Sequence, residues 1–476
     1  MSSVVPEVAS PSRASVTSSA RRLAYQALLR VERDGAFAER VLSTQLNRPP
    51  LLSARDRGFV TELVYGTLRH ICRIDGVLGQ LATQPLNKLP IEIRVALRLG
   101  VYQISYLGTP PYSAVTESVA LVPRRFGRLR GVVNGVLRNL ARGQQTLHAA
   151  SLPSPVETCA QVLATAASVP LHLVEELLAQ RGRQGTEDWL RATGQRPPLA
   201  LRVNTRRTTV AALVAALAAH GDYPVEEVPG LPCILLRGAG RVDALPGFSA
   251  GHFAVQDPAA VLVSILAGVR PGQTVLDACA APGGKATHLG ELMDNDGVVF
   301  ATELHGARTR LITQAAQRLG TTSVRPMCLD ARDPEALARA VGVVDVALLD
   351  APCSGLGTLR RHPELRRQRG VQCRSQLVVQ RALLASVARV VKPGGRLVYA
   401  VCTPTRAEGP EQVAAFLAEH PHYALEDPRG VASISAAPIG VEICEEPLLA
   451  GQSVIRTWTD KSGWDSFFVA LLRRSA

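Results

Sequence analysis

Two cysteines in this 476-residue chain sit where a thiol could be made reactive. Cys353, in "LLDAPCSGLGTLRRHPELRR", follows an apolar run, an Asp and a Pro, and precedes a flexible Ser-Gly. Cys402, in "LVYAVCTPTRAEG", lies just past a second apolar run. A thiol becomes a nucleophile when it is exposed and its pKa is lowered, and the end of a strand can offer both. The arginines that follow Cys353 are Arg360, Arg361, Arg366, Arg367 and Arg369. They form a cationic strip suited to backbone phosphates, unless it is only a solvated loop. From the residues alone, either thiol could be the attacking one.

A ligand slot is legible beside them. "DACAAPGGK", Asp277 to Lys285, combines small residues with two glycines, so the backbone can approach a ligand and open a helix N-terminus toward it. The motif is not G-x-G-x-x-G, which weakens a dinucleotide reading. Glu303, about twenty residues after the glycines, is placed to accept hydrogen bonds from ribose hydroxyls. Asp330 and Asp350 follow at the ends of later apolar runs. Any one of these acids could be a helix cap. Four at successive strand ends describe a polar rim around a nucleoside-sized slot. Cys279, inside the glycine turn, reads as a backbone-contact or packing residue, and the other six cysteines as small core or incidental residues.

The elements that must hold these residues alternate from Val255 onward. "TVLDACA", "VVFATE", "SVRPMCLDA", "VDVALLDAP" and "GRLVYAVC" read as strands, with helices such as "KATHLGELM", "GARTRLITQAAQRLG" and "QLVVQRALLASVARVV" between them. Apolar strands joined through helices predict a parallel sheet covered on both faces, with ligands at the carboxyl ends of the strands.

The front of the chain is different. "ARRLAYQALLRVERDGAFAERVL" and "IEIRVALRLGVYQISYL" repeat at helical spacing, and the proline pairs 49–50 and 110–111 punctuate a helical bundle. Its last segment, "VPRRFGRLRGVVNGVLRNLARG", holds six arginines and no acid, so one helical face could meet phosphates. Residues 1–20 read as a disordered tail, 21–143 as an all-α domain, 144–250 as a linker with a small α+β subdomain, and 251–476 as the α/β domain. A net charge of +13 favours a polyanionic partner, and 4% aromatics disfavour many stacking platforms. Nine scattered cysteines without C-x-x-C argue against a zinc site or a disulfide framework and for a reducing cytoplasm. No apolar run reaches membrane-spanning length. A monomer with no metal and no membrane partner is expected.

"LDACAAPGGKATHL", "LLDAPCSGLGTLRRHPELR" and "LVYAVCTPTRAEG" closely resemble the motifs of S-adenosylmethionine-dependent RNA cytosine-5 methyltransferases of the Nop/Sun family. The front, with "ARDRGFVTELVYGTLRH", looks like a NusB-type RNA-binding domain, and "GFSAGHFAVQDPAAVL" like the entry to the catalytic domain. That fusion is similar to the RsmB (Sun, Fmu) branch, which methylates small-subunit ribosomal RNA.

The resemblance implies a Rossmann-like methyltransferase domain and a site. Cys279, Ala280, Ala281, Pro282, Gly283, Gly284 and Lys285 would line the S-adenosylmethionine pocket, Glu303 would hold the ribose, Asp330 would lie near the adenine, and Asp350 would border both methyl donor and target base. Cys402 would attack cytosine C6, and Cys353 would help release the product. The chain departs from the family at Val401, where Thr is usual, at Gly409, where Asn is common, and at Glu303, where Asp is more usual. Arg360, Arg361, Arg366 and Arg367 would grip the RNA. A transfer RNA target and a non-catalytic RNA-binding factor remain as alternatives; the NusB-like front speaks against the first, and the presence of both cysteines against the second.

Overall fold

The computed structural model describes residues 13–48, 52–143, 158–367, 370–431 and 440–476. The Pro49-Pro50 pair, Arg369 and residues 144–157, where the expected linker starts, lie outside them. The described chain divides into two units, residues 1–174 with 362–367, and residues 175–361 with 368–476.

The first unit is helical: α1 (Arg13–Asp34), α2 (Ala38–Leu46), α3 (Ala54–Arg69), α4 (Ile71–Leu81), α5 (Ile91–Ser105), α6 (Pro111–Ala120), α7 (Arg130–Arg142) and α8 (Cys159–Ala167). Helix α1 begins inside the stretch expected as a tail. The starts are chemically marked: Ser53 accepts from Asp56 N, Pro111 occupies the first turn of α6, and Thr158 forms a capping box with Gln161. Leu28, Leu63, Ile93, Leu97 and Leu137 meet in one core.

Helix α9 (Leu171–Thr193) starts within the first unit's residues, and from Glu175 on belongs to the second; it is broken at Gly182, where φ is +66°. Next come β1 (Leu199–Val203), α10 (Val210–His220), β2 (Val225–Glu227), β3 (Cys233–Leu236) and β4 (Phe253–Val255). These strands form an antiparallel sheet in the order β2-β3-β1-β4. Arg202, on β1, is fully buried.

The larger sheet then builds up through α11 (Pro258–Leu266), β5 (Thr274–Asp277), α12 (Gly284–Leu292), β6 (Val298–Glu303), α13 (Gly306–Leu319), β7 (Val324–Cys328), α14 (Pro334–Val341), β8 (Val344–Asp350), α15 (Gly370–Val390), β9 (Val391–Val401), α16 (Pro410–Glu419), β10 (Tyr423–Leu425), β11 (Val441–Glu446), β12 (Gln452–Thr457), α17 (Thr459–Ser462) and β13 (Phe468–Arg474). Its order is β11-β12-β13-β9-β8-β5-β6-β7, with β10 on β13. Strands β5 to β9 run parallel, and β13 pairs antiparallel with β9. The continuous apolar strands are explained by burial on both faces: Leu348, Val398 and Ala400 enter one core layer, Leu349, Tyr399 and Val401 the other. Among the described residues no single helix is long and apolar enough to cross a membrane.

Candidate active site

Strand order reverses around β5, which has β6 on one side and β8 on the other. That switch point opens a crevice at the carboxyl ends. Asp277 ends β5, Glu303 ends β6 and Asp350 ends β8, while Cys402 follows β9 directly and Asp330 lies two residues past β7. The sheet thus brings the sequence-picked acids and cysteines to one edge.

The turn after β5 is shaped by glycine. Gly283, with φ at +109°, caps α12 without a side chain, and a Cβ there would come within 3.1 Å of Ile312 Cα. Lys285, in the first turn of α12, reaches Asp350 with Nζ to Oδ2 at 2.5 Å. Burial opposes the Lys285 charge, but Asp350, Asp277 and Cys402 outweigh it and raise its pKa above the ordinary value. Lys285, expected only to line the cofactor pocket, is therefore the ion-pair partner of Asp350. Asp277 is fully buried, and the Cys279 and Ala286 amides approach its carboxylate. Burial pushes its pKa up to about 7, against the pull of Lys285 and of those amides.

Glu303 is buried beside Arg308 at 3.1 Å and accepts from His305 N at 3.0 Å. Each of its oxygens can accept again, so ribose hydroxyls suit it. With the open helix start and the glycine turn, these residues fit the nucleoside and amino-acid ends of S-adenosylmethionine. Asp330 is half-exposed and chelated by Arg332, with Nε–Oδ1 at 2.8 Å, and that pairing lowers its pKa. Burial, then Asp277, Asp350 and Glu303, push the Cys279 thiol up, which keeps it protonated and unreactive.

The Cys353 and Cys402 sulfurs lie 3.4 Å apart. The bond to Cys402 is the largest influence raising the Cys353 pKa, followed by burial and by the charges of Cys402, Glu408 and Asp350. Cys353 therefore holds its proton beside the Cys402 sulfur. Ala351 N donates to Ala400 O and Gly357 N to Cys402 O, both at 2.9 Å, which fastens one cysteine loop to the other. A Cβ on Gly357 would fall 2.0 Å from Ser466 O, so the close approach requires glycine.

The departures have physical settings. Val401 is fully buried in the core layer of Leu349 and Tyr399, on the sheet face opposite Cys402. A Cβ on Gly409 would meet the Phe468 ring at 3.0 Å, leaving little room for a longer residue.

The arginines after Cys353 have protein partners. Arg360 is buried and donates to Gly463 O. Arg361 bridges Asp257 at 2.5 Å and Asp465 at 3.0 Å. Arg366, 2% exposed, donates to Ala167 O at 2.6 Å, and Arg367 pairs with Glu32. Arg360, Arg361 and Arg366 are thus engaged by protein partners, while Arg367 keeps 42% of its side chain exposed beside Glu32.

Sequence reasoning passed over Glu408, a buried carboxylate that accepts from Ser354, Gln380 and Thr405. Its one visible signal was an acid six residues after Cys402. Among the described residues no cluster of His, Cys, Asp or Glu could hold a metal.

Residues 264–473 match the family described as 16S rRNA methyltransferase RsmB/F, residues 18–142 the NusB family, and residues 169–243 the ferredoxin-like domain of RsmF/B-like methyltransferases. The chain is 36% identical over 414 residues, 86% of this chain and 91% of the relative, to the probable ribosomal RNA small subunit methyltransferase B of a Synechocystis species. It is 35% identical to the ribosomal RNA small subunit methyltransferase B of Sodalis glossinidius, over 80% of this chain and 86% of that one. The crystal structure of PH0851 superposes with a TM-score of 0.76 at 25% identity, covering 98% of this chain and 100% of the other. A methyltransferase homologue from Pyrococcus horikoshii superposes with a TM-score of 0.54 at 25% identity, covering 64% and 95%. The chain belongs to the RsmB/F family of 16S rRNA methyltransferases and is an S-adenosylmethionine-dependent enzyme.

Proposed function

We propose that this enzyme methylates C5 of a cytosine in small-subunit ribosomal RNA through a covalent adduct between Cys402 and C6. The observation that carries this reading is the 3.4 Å pair of sulfurs beside the Lys285–Asp350 ion pair. Bound S-adenosylmethionine supplies an electrophilic methyl group. Cytosine C5 is a poor nucleophile until a thiolate adds to C6, which makes the ring enamine-like. Cys402 supplies that electron pair. Lys285 offers a donor to the charge that develops on the ring, and Asp350 orients Lys285 and can accept from the exocyclic amine.

Cys353 is timed by its neighbour. While Cys402 is free, their hydrogen bond and the Cys402 charge keep the Cys353 proton on. Once Cys402 becomes a thioether that charge is gone, and Cys353 can lose its proton to water. The Cys353 thiolate then removes the C5 proton, the C6–sulfur bond breaks, and Cys402 leaves as thiolate. One methyl group enters the ring and one proton reaches solvent, so the cycle balances.

Asp277, Glu303 and the turn from Cys279 to Lys285 would hold the cofactor, with Asp330 at the rim. We assign residues 21–143 to RNA binding, 144–250 to a connecting α+β part and 251–476 to catalysis, in a cytoplasmic monomer. Bisulfite sequencing of small-subunit ribosomal RNA from a strain lacking the gene should reveal one lost 5-methylcytosine, restored by the wild-type chain. An unchanged 5-methylcytosine pattern would overturn the assignment.

A further inference from the structure

Glu408 has no part in the covalent steps above, yet its surroundings lead to both thiols. The side chain is 1% exposed. Its Oε1 accepts Ser354 N–H at 2.7 Å and Gln380 Nε2–H at 3.1 Å. Its Oε2 accepts the Ser354 hydroxyl at 2.5 Å and the Thr405 hydroxyl at 3.1 Å. Four donors on two oxygens suit a carboxylate, which accepts at both and brings no proton. Such a buried charge is tolerated because it is fully hydrogen-bonded.

The donors come from both cysteine loops. Ser354 follows Cys353, and Gln380 also donates to Pro352 O at 3.0 Å, so Cys353 is clamped on either side. Thr403, directly after Cys402, lies 3.1 Å from the Ser354 hydroxyl and 3.2 Å from the Thr405 hydroxyl. Tyr399 OH donates to Glu408 O at 2.7 Å and anchors the backbone of the acid to β9.

We propose that Glu408 is a positioning residue that holds the Cys353 and Cys402 sulfurs at their working separation and thereby governs release of the methylated base. This rests on the two-thiol reading above. Removing Glu408 leaves the Ser354 amide unpaired and the Gln380 amide with Pro352 O alone, so the Cys353 loop loses its register while the cofactor turn, on other strands, keeps its own.

Two measurements on the full chain test this. The first needs no RNA: diamide takes two electrons and two protons from a thiol pair, and peptide mapping follows the Cys353–Cys402 disulfide. Wild-type should cross-link readily and Glu408→Ala about tenfold or more slowly, the scale of an ångström-sized displacement. The second uses an unmethylated 16S transcript and S-adenosylmethionine. Glu408→Ala should lose about 10²-fold in turnover, carry a larger fraction of RNA in a denaturation-resistant complex, and keep its S-adenosylmethionine affinity within about twofold. Ser354→Ala, which removes one hydroxyl only, should move both readouts the same way by less, and it decides the matter if Glu408→Ala does not fold. Wild-type cross-linking rates and wild-type partition in the variants would overturn the proposal, as would a folded Glu408→Ala that loses cofactor affinity with no change in partition. A wild-type chain that makes no 5-methylcytosine would instead sink the proposed function, and the RNA-free cross-linking would still judge Glu408.

Discussion

Cys402 and Cys353 divide bond making from bond breaking, and single substitutions should separate the two. Cys402→Ala should lose both adduct and methylation, by at least about 10³-fold, as expected when a nucleophile is removed. Cys353→Ala should trap RNA on the protein, seen as a slow band in a denaturing gel. A trapped complex from the Cys402 variant alone would reverse the roles. Asp277 offers a different test, in stability. Its pKa rises from 3.8 to about 7 in the folded chain. Between those values the native state holds a proton that the unfolded chain has released, so stability falls with rising pH. The contribution is whole below about pH 4 and is lost as pH passes 7. Asp277→Asn should shrink the difference in unfolding free energy between pH 4.5 and pH 8 by on the order of 2–4 kcal/mol, read from urea titrations.

Among the elements, α12 matters most, since it starts at the glycine turn and carries Lys285. The small sheet steadies it. Arg202 on β1 reaches Glu291 at 2.9 Å and Thr287 at 3.2 Å, and Thr287 in turn donates to Gly283 O at 2.8 Å. Arg202 and Glu291 side chains are 0% and 3% exposed. Arg202→Ala strands the Glu291 charge in the core and should cost about 3–5 kcal/mol in a urea titration. Cofactor affinity should fall with it, read by equilibrium dialysis. This level was partly legible in the sequence. The alternation after Val255 foretold β5 to β9, because parallel strands buried on both faces read as apolar runs. The antiparallel end, β10 to β13, was not read, since short strands such as Gln452–Thr457 carry weak alternation. The protein partners of the arginine strip were not legible for a related reason. Arg361 is neutralised by Asp257 and Asp465, each 104 positions away, and no local pattern announces such partners. Glu408 was hidden likewise, because three of its four bonds depend on how Ser354 and Gln380 fold back onto it.

Across the whole molecule, the charge of +13 asks for a polyanion. Helix α7 keeps its basic face outward: Arg130, Arg138 and Arg142 are exposed, while Val133, Val136, Leu137 and Leu140 are buried on the other side. Replacing these three arginines by Gln should weaken RNA binding without altering cofactor affinity. It should also reduce the slope of log affinity against log salt by about 2–3, at roughly 0.7–0.9 for each phosphate no longer neutralised. Filter binding across a salt series reads both. An unchanged slope would remove α7 from the RNA interface.

The hydrogen-bond ladder between β8 and β9 puts Asp350 opposite Ala400, and the two thiols follow three and two residues later. Their spacing is thus inherited from the pitch of a β-sheet, about 4.8 Å between neighbouring strands. Chemistry and target choice are thereby uncoupled in this architecture. Segments that select the RNA can be lengthened, shortened or exchanged over generations or by an engineer, while the reactive pair stays at its station because two adjacent backbones keep it there.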